Sequence, residues 1–291
     1  LPTTLTGHSC IVIRDGGTYA EQVTVEGFIN DGSSITIMAD PASGQRPVVS
    51  PPATSTAAFL VANSSVNIFG IDIAPTVSVA YGISASSAYA QISSVNVLDA
   101  AGFISTAGVT VSSWATVSYT SVTLGGAGAS GFLIATSTGV RVSYSSAQVT
   151  GVDASGVYLD VNASYATFSV FLASSAAGYA VYSLDALSRN IFTQSVLWNK
   201  SATRPTYNCP NARACSVLFS NDTLTNAGAG YVISSMNLSS LAVDQSTVTG
   251  SGGRTVNIWI PNALSISRSY LGNTTGTALY LGNIYLASGI D

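Results

Sequence analysis

One pattern returns along most of the chain at nearly constant spacing: an aliphatic residue, four mostly small or polar residues, then usually another apolar one. It runs from Ile68 to Ile73, Ile92 to Val97, Val117 to Val122, Val142 to Ala147 and, more loosely, Phe168 to Ala173. It continues from Ile191 to Val196, Leu218 to Thr223, Val243 to Val248 and Ile266 to Leu271. Successive anchors lie 23 to 27 residues apart. A second marker keeps the same beat. Gly82, Gly108, Gly131, Gly156, Ala180, Gly230 and Ala278 each precede a short apolar run.

A repeat of this length has room for two or three short strands separated by Gly, Ser, Asn and Asp turns, and none for a helix. Such a unit cannot bury its apolar face alone; stacked units can, because each inward residue meets its counterpart on the next coil. The sequence therefore predicts an all-β fold, a single-stranded parallel β-helix (solenoid). About 10 to 11 coils of about 25 residues, with rungs about 4.8 Å apart, make a rod roughly 50 Å long. One domain spans residues 1–291, with a lead-in at 1–9 and a loop protruding at 200–216. Neither end shows a polar cap, so two arrangements are expected for the end rungs: continuation into a longer chain, or end-to-end stacking of the chain on itself.

The composition agrees with stacking. Only 8% of the 291 residues are charged, against about 25% in ordinary domains. Like residues sit one rung apart in a solenoid, where stacked charges repel and Ser, Thr, Asn and Gly do not. Nine Lys and Arg, dispersed along the chain, argue against nucleic acid as a partner. High hydrophobicity with low charge argues against disorder. No apolar run is long enough for a membrane span.

Cys209 and Cys215 flank a turn containing Pro210 and Asn211. A disulfide closes such a turn readily; two buried free thiols or a metal pair are the alternatives, and no neighbouring His supports metal. Cys10 is expected to pack as a small apolar residue. A disulfide, a single lysine (Lys200) and abundant Ser and Thr favour an extracellular or cell-surface location. Asn63, Asn162, Asn199, Asn221, Asn237 and Asn273 begin Asn-x-Ser/Thr sequons. Several are expected by chance in a chain of this composition.

The stretch from Ile11 to Val25 places Gly17, Tyr19, Glu21, Val23 and Val25 in the order Gly-x-Tyr-x-Glu-x-Val-x-Val after an aliphatic strand. It resembles the opening coil of pectin-lyase-like right-handed β-helices, pectinesterases in particular. With the repeat, the resemblance covers nearly the whole chain and implies the fold and its right hand. It does not extend to chemistry. The paired-Asp motifs of pectinesterases, the Asp-Asp and Gly-His-Gly motifs of polygalacturonases and the acidic calcium cluster of pectate lyases have no counterpart here, and the single histidine is His8.

Several residues still invite a functional reading. Asp153 and Asp160, on one coil, suit an acid/base pair or part of a Ca²⁺ site, or are turn residues. No catalytic residue, metal ligand or cofactor is expected, since nothing further supports Ca²⁺. Asp72, Asn96 and Asp222 share one repeat position and read as a polar turn ladder. Lys200, Arg204 and Arg213 gather near the stapled loop, as solvated charges or as a patch for an anionic polymer. Tyr119 and Tyr144 share a repeat position, and Tyr158, Tyr182 and Tyr207 are spaced 24 and 25 apart. Facing outward they form a strip for stacking on sugar rings; otherwise they form an aromatic ladder within the stack. Ice or mineral binding would need a regular Thr-x-Thr face, and only scattered cases such as Thr247-Val248-Thr249 occur. The leading expectation is a non-enzymatic structural or adhesive solenoid. It would be a segment of a large surface protein or a subunit of a stacked filament. A polysaccharide lyase or hydrolase with a divergent site and a passive carbohydrate-binding module are the alternatives.

Overall fold

A computed structural model describes residues 4–29, 32–112, 114–135, 139–160, 164–167, 169–174, 177–184, 189–210, 215–235, 238–259 and 263–282. All regular structure among them is strand: 33 strands make eleven coils of three. One coil, for example, comprises Ala90–Ser93, Asn96–Asp99 and Ile104–Val111. The first strands of all coils pair into an 11-stranded parallel sheet, sheet 1; the second strands form sheet 2 and the third strands sheet 3. The chain is thus a parallel β-solenoid, as the repeat predicts.

Inward ladders fill the core. Ile68, Ile92, Val117 and Val142 follow one another in register on sheet 1. The register then departs from the anchors read from sequence. Ala166 pairs with Phe192, Phe192 with Phe219, and Phe219 with Val243. Phe192 and Phe219 are buried and their rings stack at 5.3 Å, whereas Ile191 and Leu218 are only half-buried. Each strand carries an apolar residue on both faces at this point, and the aromatic one takes the core. Phe168 lies outside the described residues.

The Gly/Ala marker has a steric cause. Gly131 sits where a Cβ would come within 2.4 Å of Ala147 Cβ and 2.6 Å of the Gly156 carbonyl oxygen. Gly108 sits equally close to Val122. Sheets 2 and 3 converge at this point, and side chains are excluded by close backbone approach.

Turns between sheets 1 and 2 pivot on one residue with φ between 48° and 70°: Gly70, Ser94, Tyr119, Tyr144, Gln194, Asn221, Gln245 and Arg268. A left-handed conformation costs a non-glycine residue about 1–2 kcal/mol. Hydrogen bonding just inside the turn offsets that cost. Ser145 Oγ accepts the Thr120 N–H at 3.2 Å and donates to the Ser143 carbonyl at 2.9 Å. Ser246 repeats this, accepting from Asp222 N–H at 3.0 Å and donating to the Asp244 carbonyl at 2.8 Å. Turns between sheets 2 and 3 are held by an internal amide. Asn199 Nδ2 donates to the carbonyls of Gly178, Arg204 and Pro205, and Asn226 Nδ2 to those of Arg204 and Tyr231. Asp99 does the same work with opposite polarity, accepting the N–H groups of Gly102, Phe103 and Ile104.

Of the stretch 200–216, residues 211–214 lie outside the described residues. Its described part does not protrude: Ser201, Thr206, Tyr207 and Cys209 are buried, and Tyr207–Cys209 is a strand of sheet 3. The interval from Leu197 to Tyr207 matches those from Val122 to Phe132 and from Ala147 to Val157, so the extra residues fall between Tyr207 and Phe219, around the disulfide. Cys209 and Cys215 form a disulfide, both fully buried. Cys10 does not pack as a small apolar core residue. It is free and exposed, because it alternates outward between Ser9 and Ile11 on the first strand.

Candidate functional site

Outward residues of sheet 1 form a polar ladder: Asn67, Gln91, Thr116 and Arg141 follow one another in register. Four rungs span about 14 Å. Turns between sheets 3 and 1 raise a wall beside this ladder, from which Tyr89 and Trp114 project, 67% and 56% exposed. The indole of Trp114 lies on Gly139: a Cβ added there would meet Cζ3 at 2.4 Å and Cε3 at 2.6 Å. Only glycine leaves room for the ring, and its φ of 87° suits glycine as well. Together these residues line a groove of about 630 Å³. At its N-terminal end His8 Nδ1 accepts the Ser34 N–H at 3.1 Å, and Asn67 Nδ2 donates to Ser34 Oγ and Thr36 Oγ1. An apolar indole face beside amide, hydroxyl and guanidinium groups matches the two-sided chemistry of a sugar ring.

The sequence reading singles out neither Tyr89 nor Trp114. The signal that finds them is their separation of 25 residues, one coil, in a segment that otherwise reads as turn.

A second hollow, about 340 Å³, opens at the corner between sheets 2 and 3. It joins residues that are far apart in sequence. Tyr158 and Tyr182 pair in register and stack at 5.2 Å. Tyr179 meets Tyr182 edge-on at 4.9 Å. Arg204 lies over the Tyr179 ring at 5.4 Å and its Nη2 donates to Asp153 Oδ1 at 2.6 Å. Burial raises the Tyr179 hydroxyl above its ordinary pKa, with the Arg204 charge acting the other way. Tyr158 is raised by burial and by nearby Asp160.

The other sequence-read residues sort as follows. Tyr119 and Tyr144 are 60% and 52% exposed and stack at 5.0 Å with planes 5° apart. They face outward, but each ring covers a face of the other. Tyr207 leaves the strip: Tyr182 pairs with Asn208, so Tyr207 falls one residue out of phase and points inward, wholly buried against Phe192 and Phe219. Burial pushes its hydroxyl up to about 12. Asp153 engages Arg204. Asp72 and Asn96 form a polar ladder, Asn96 Nδ2 donating to Asp72 Oδ1 at 2.8 Å, with Arg46 Nε on the same oxygen at 2.7 Å. Asp222 is not in that ladder, because Thr223 takes the position and Asp222 sits one residue earlier, inside the turn. It is 2% exposed, and burial pushes its carboxyl up to about 7. Lys200 is exposed and Arg213 lies outside the described residues. Among the described residues no group of three or more His, Cys, Asp or Glu is placed to hold a metal ion. No helix among the described residues is long and apolar enough to cross a membrane. The sequons at Asn63 and Asn221 are exposed, that at Asn199 is buried in its turn, and those at Asn162 and Asn237 lie outside the described residues.

Neither a protein-family model nor a curated protein matches the chain. Among solved structures it is similar to pectate lyase Pel9A, at 13% identity and a TM-score of 0.45, covering 94% of this chain and 69% of that one. No residue role is transferred from that likeness.

Proposed function

We propose that this β-solenoid is an adhesive, glycan-binding module of an extracellular or cell-surface protein, and that it holds a polysaccharide along sheet 1. The observation that carries the reading is the Trp114 indole resting on Gly139 beside the Asn67–Gln91–Thr116–Arg141 ladder. The rung spacing of about 4.8 Å is close to the length of one sugar unit, so an extended chain meets a hydrogen-bonding group at each step. Arg141 at the C-terminal end favours polymers that carry carboxylates. The buried Cys209–Cys215 disulfide supports an oxidising compartment.

Affinity electrophoresis in gels containing pectin, alginate or a neutral glucan tests the reading. Retarded migration in at least one polymer, lost in Trp114→Ala, with no release of reducing ends or unsaturated products, supports it. Unretarded migration in all three overturns it. Cleavage of the polymer also overturns it and replaces it with a lyase or hydrolase.

A further inference from the structure

The corner hollow is a separate feature, on the opposite side of sheet 3 from the Trp114 turn, and its parts are fixed by the fold. Arg204 is anchored through its backbone: its N–H donates to Ser201 Oγ at 2.8 Å, and its carbonyl accepts Asn199 Nδ2 and Asn226 Nδ2, each at 3.1 Å. Asp153 stands on the same corner two coils earlier, in a left-handed turn with φ 55°, its N–H bonded to the Ala177 carbonyl at 2.9 Å. The ion pair therefore bridges two rigid turns across the coil that carries Tyr179 and Tyr182. Its side chains remain 41% and 51% exposed at the rim.

Three properties define what fits. The carboxylate and guanidinium cancel each other's net charge, and Asp160 near Tyr158 adds a negative one, so the hollow does not select an anion. Both nevertheless offer directional hydrogen-bonding groups, which suit a pair of vicinal hydroxyls. Tyr158 and Tyr182, both half-buried, diverge by 22° and supply the aromatic surface, while Tyr179, itself buried, meets Tyr182 at 70°. A hollow of about 340 Å³ accommodates a monosaccharide unit.

We infer that this corner is a second, independent saccharide site, which takes a single neutral pyranose, with Asp153 and Arg204 on adjacent ring hydroxyls and the tyrosines against the ring's C–H groups. It does not require the sheet 1 groove to bind a polymer.

Saturation-transfer NMR on the whole chain, with the methyl α- and β-pyranosides of glucose, galactose and mannose as probes, tests the site. At least one glycoside is expected to receive saturation. Asp153→Asn and Arg204→Gln, both at exposed side chains, are expected to weaken its binding at least tenfold, while Trp114→Ala leaves it unchanged. Unchanged binding in both corner variants overturns the inference, as does the absence of transfer to all six probes. Loss of the signal in Trp114→Ala assigns it to the groove and also overturns the inference. Tighter binding of methyl glucuronide than of methyl glucoside overturns the neutral-ligand assignment.

Discussion

Asp222 Oδ1 accepts the backbone N–H of Ser195, one coil earlier, at 2.6 Å, and Oδ2 takes the Ser220 N–H at 2.9 Å. Serine does this work in neighbouring coils. A carboxylate in its place is buried, and burial outweighs the two backbone donors, so its pKa rises from 3.8 to about 7. A folded-state pKa above the unfolded one means that protonation favours the fold. The stability is fully present below about pH 4 and is lost as pH rises towards 7 and beyond. The full loss is on the order of 4 kcal/mol. Asp222→Ser is expected to raise the melting temperature at pH 8 and to flatten its pH dependence between 4 and 8, as read from thermal melts by circular dichroism.

Asn226, itself fully buried, satisfies two carbonyls and accepts the Gly228 N–H at 2.9 Å. Asn226→Ala strands the Gly228 N–H and takes one of two donors from each carbonyl, since Arg204 keeps Asn199 Nδ2 and Tyr231 keeps the Thr206 N–H. A loss of about 2–4 kcal/mol is expected in urea unfolding.

Gly131 and Gly7 give a paired test. A methyl group at Gly131 collides with Ala147 and the Gly156 carbonyl, while nothing lies within 4 Å of one at Gly7. Gly131→Ala is expected to destabilise by about 1–3 kcal/mol and Gly7→Ala by less than about 0.5 kcal/mol.

Gly139→Ala displaces the Trp114 indole without touching the polar ladder. If the groove holds a polymer, this variant binds it several-fold more weakly than the parent chain, in the same gels that test Trp114→Ala.

One cysteine of three is expected to react with Ellman's reagent in the native state, because Cys10 is a free, exposed thiol and the other two are joined in a buried disulfide. Cys209→Ser with Cys215→Ser is expected to cost about 2 kcal/mol for a loop this short.

The fold was legible because its period is written in small, unambiguous ladders. Ile68, Ile92, Val117 and Val142 alternate with polar neighbours, and their register follows directly. Legibility failed where two apolar residues stand side by side, one on each strand face. Ile191–Phe192 and Leu218–Phe219 offer two candidate core residues each, and choosing the first moved Asp222 out of its buried position. Tyr207 was misplaced for a related reason: Tyr182 is followed 26 residues later by Asn208 in the sheet, so an average spacing of 25 lands on the wrong face. The corner hollow was present in the sequence only as fragments. Asp153, Tyr158, Tyr182 and Arg204 were each visible, but spacing along the chain does not reveal that three successive turns share a corner. Trp114 left only its one-coil spacing from Tyr89 as a signal, because its partner Gly139 contributes no side chain.

Thr116 and Arg141 occupy equivalent places on adjacent coils, 25 residues apart. Removing or duplicating the segment between them rejoins each strand to a neighbour of matching register and leaves the outward alternation intact. A coil is thus a unit that a gene can gain or lose whole. Along such a lineage, length is free to vary while the cross-section stays fixed.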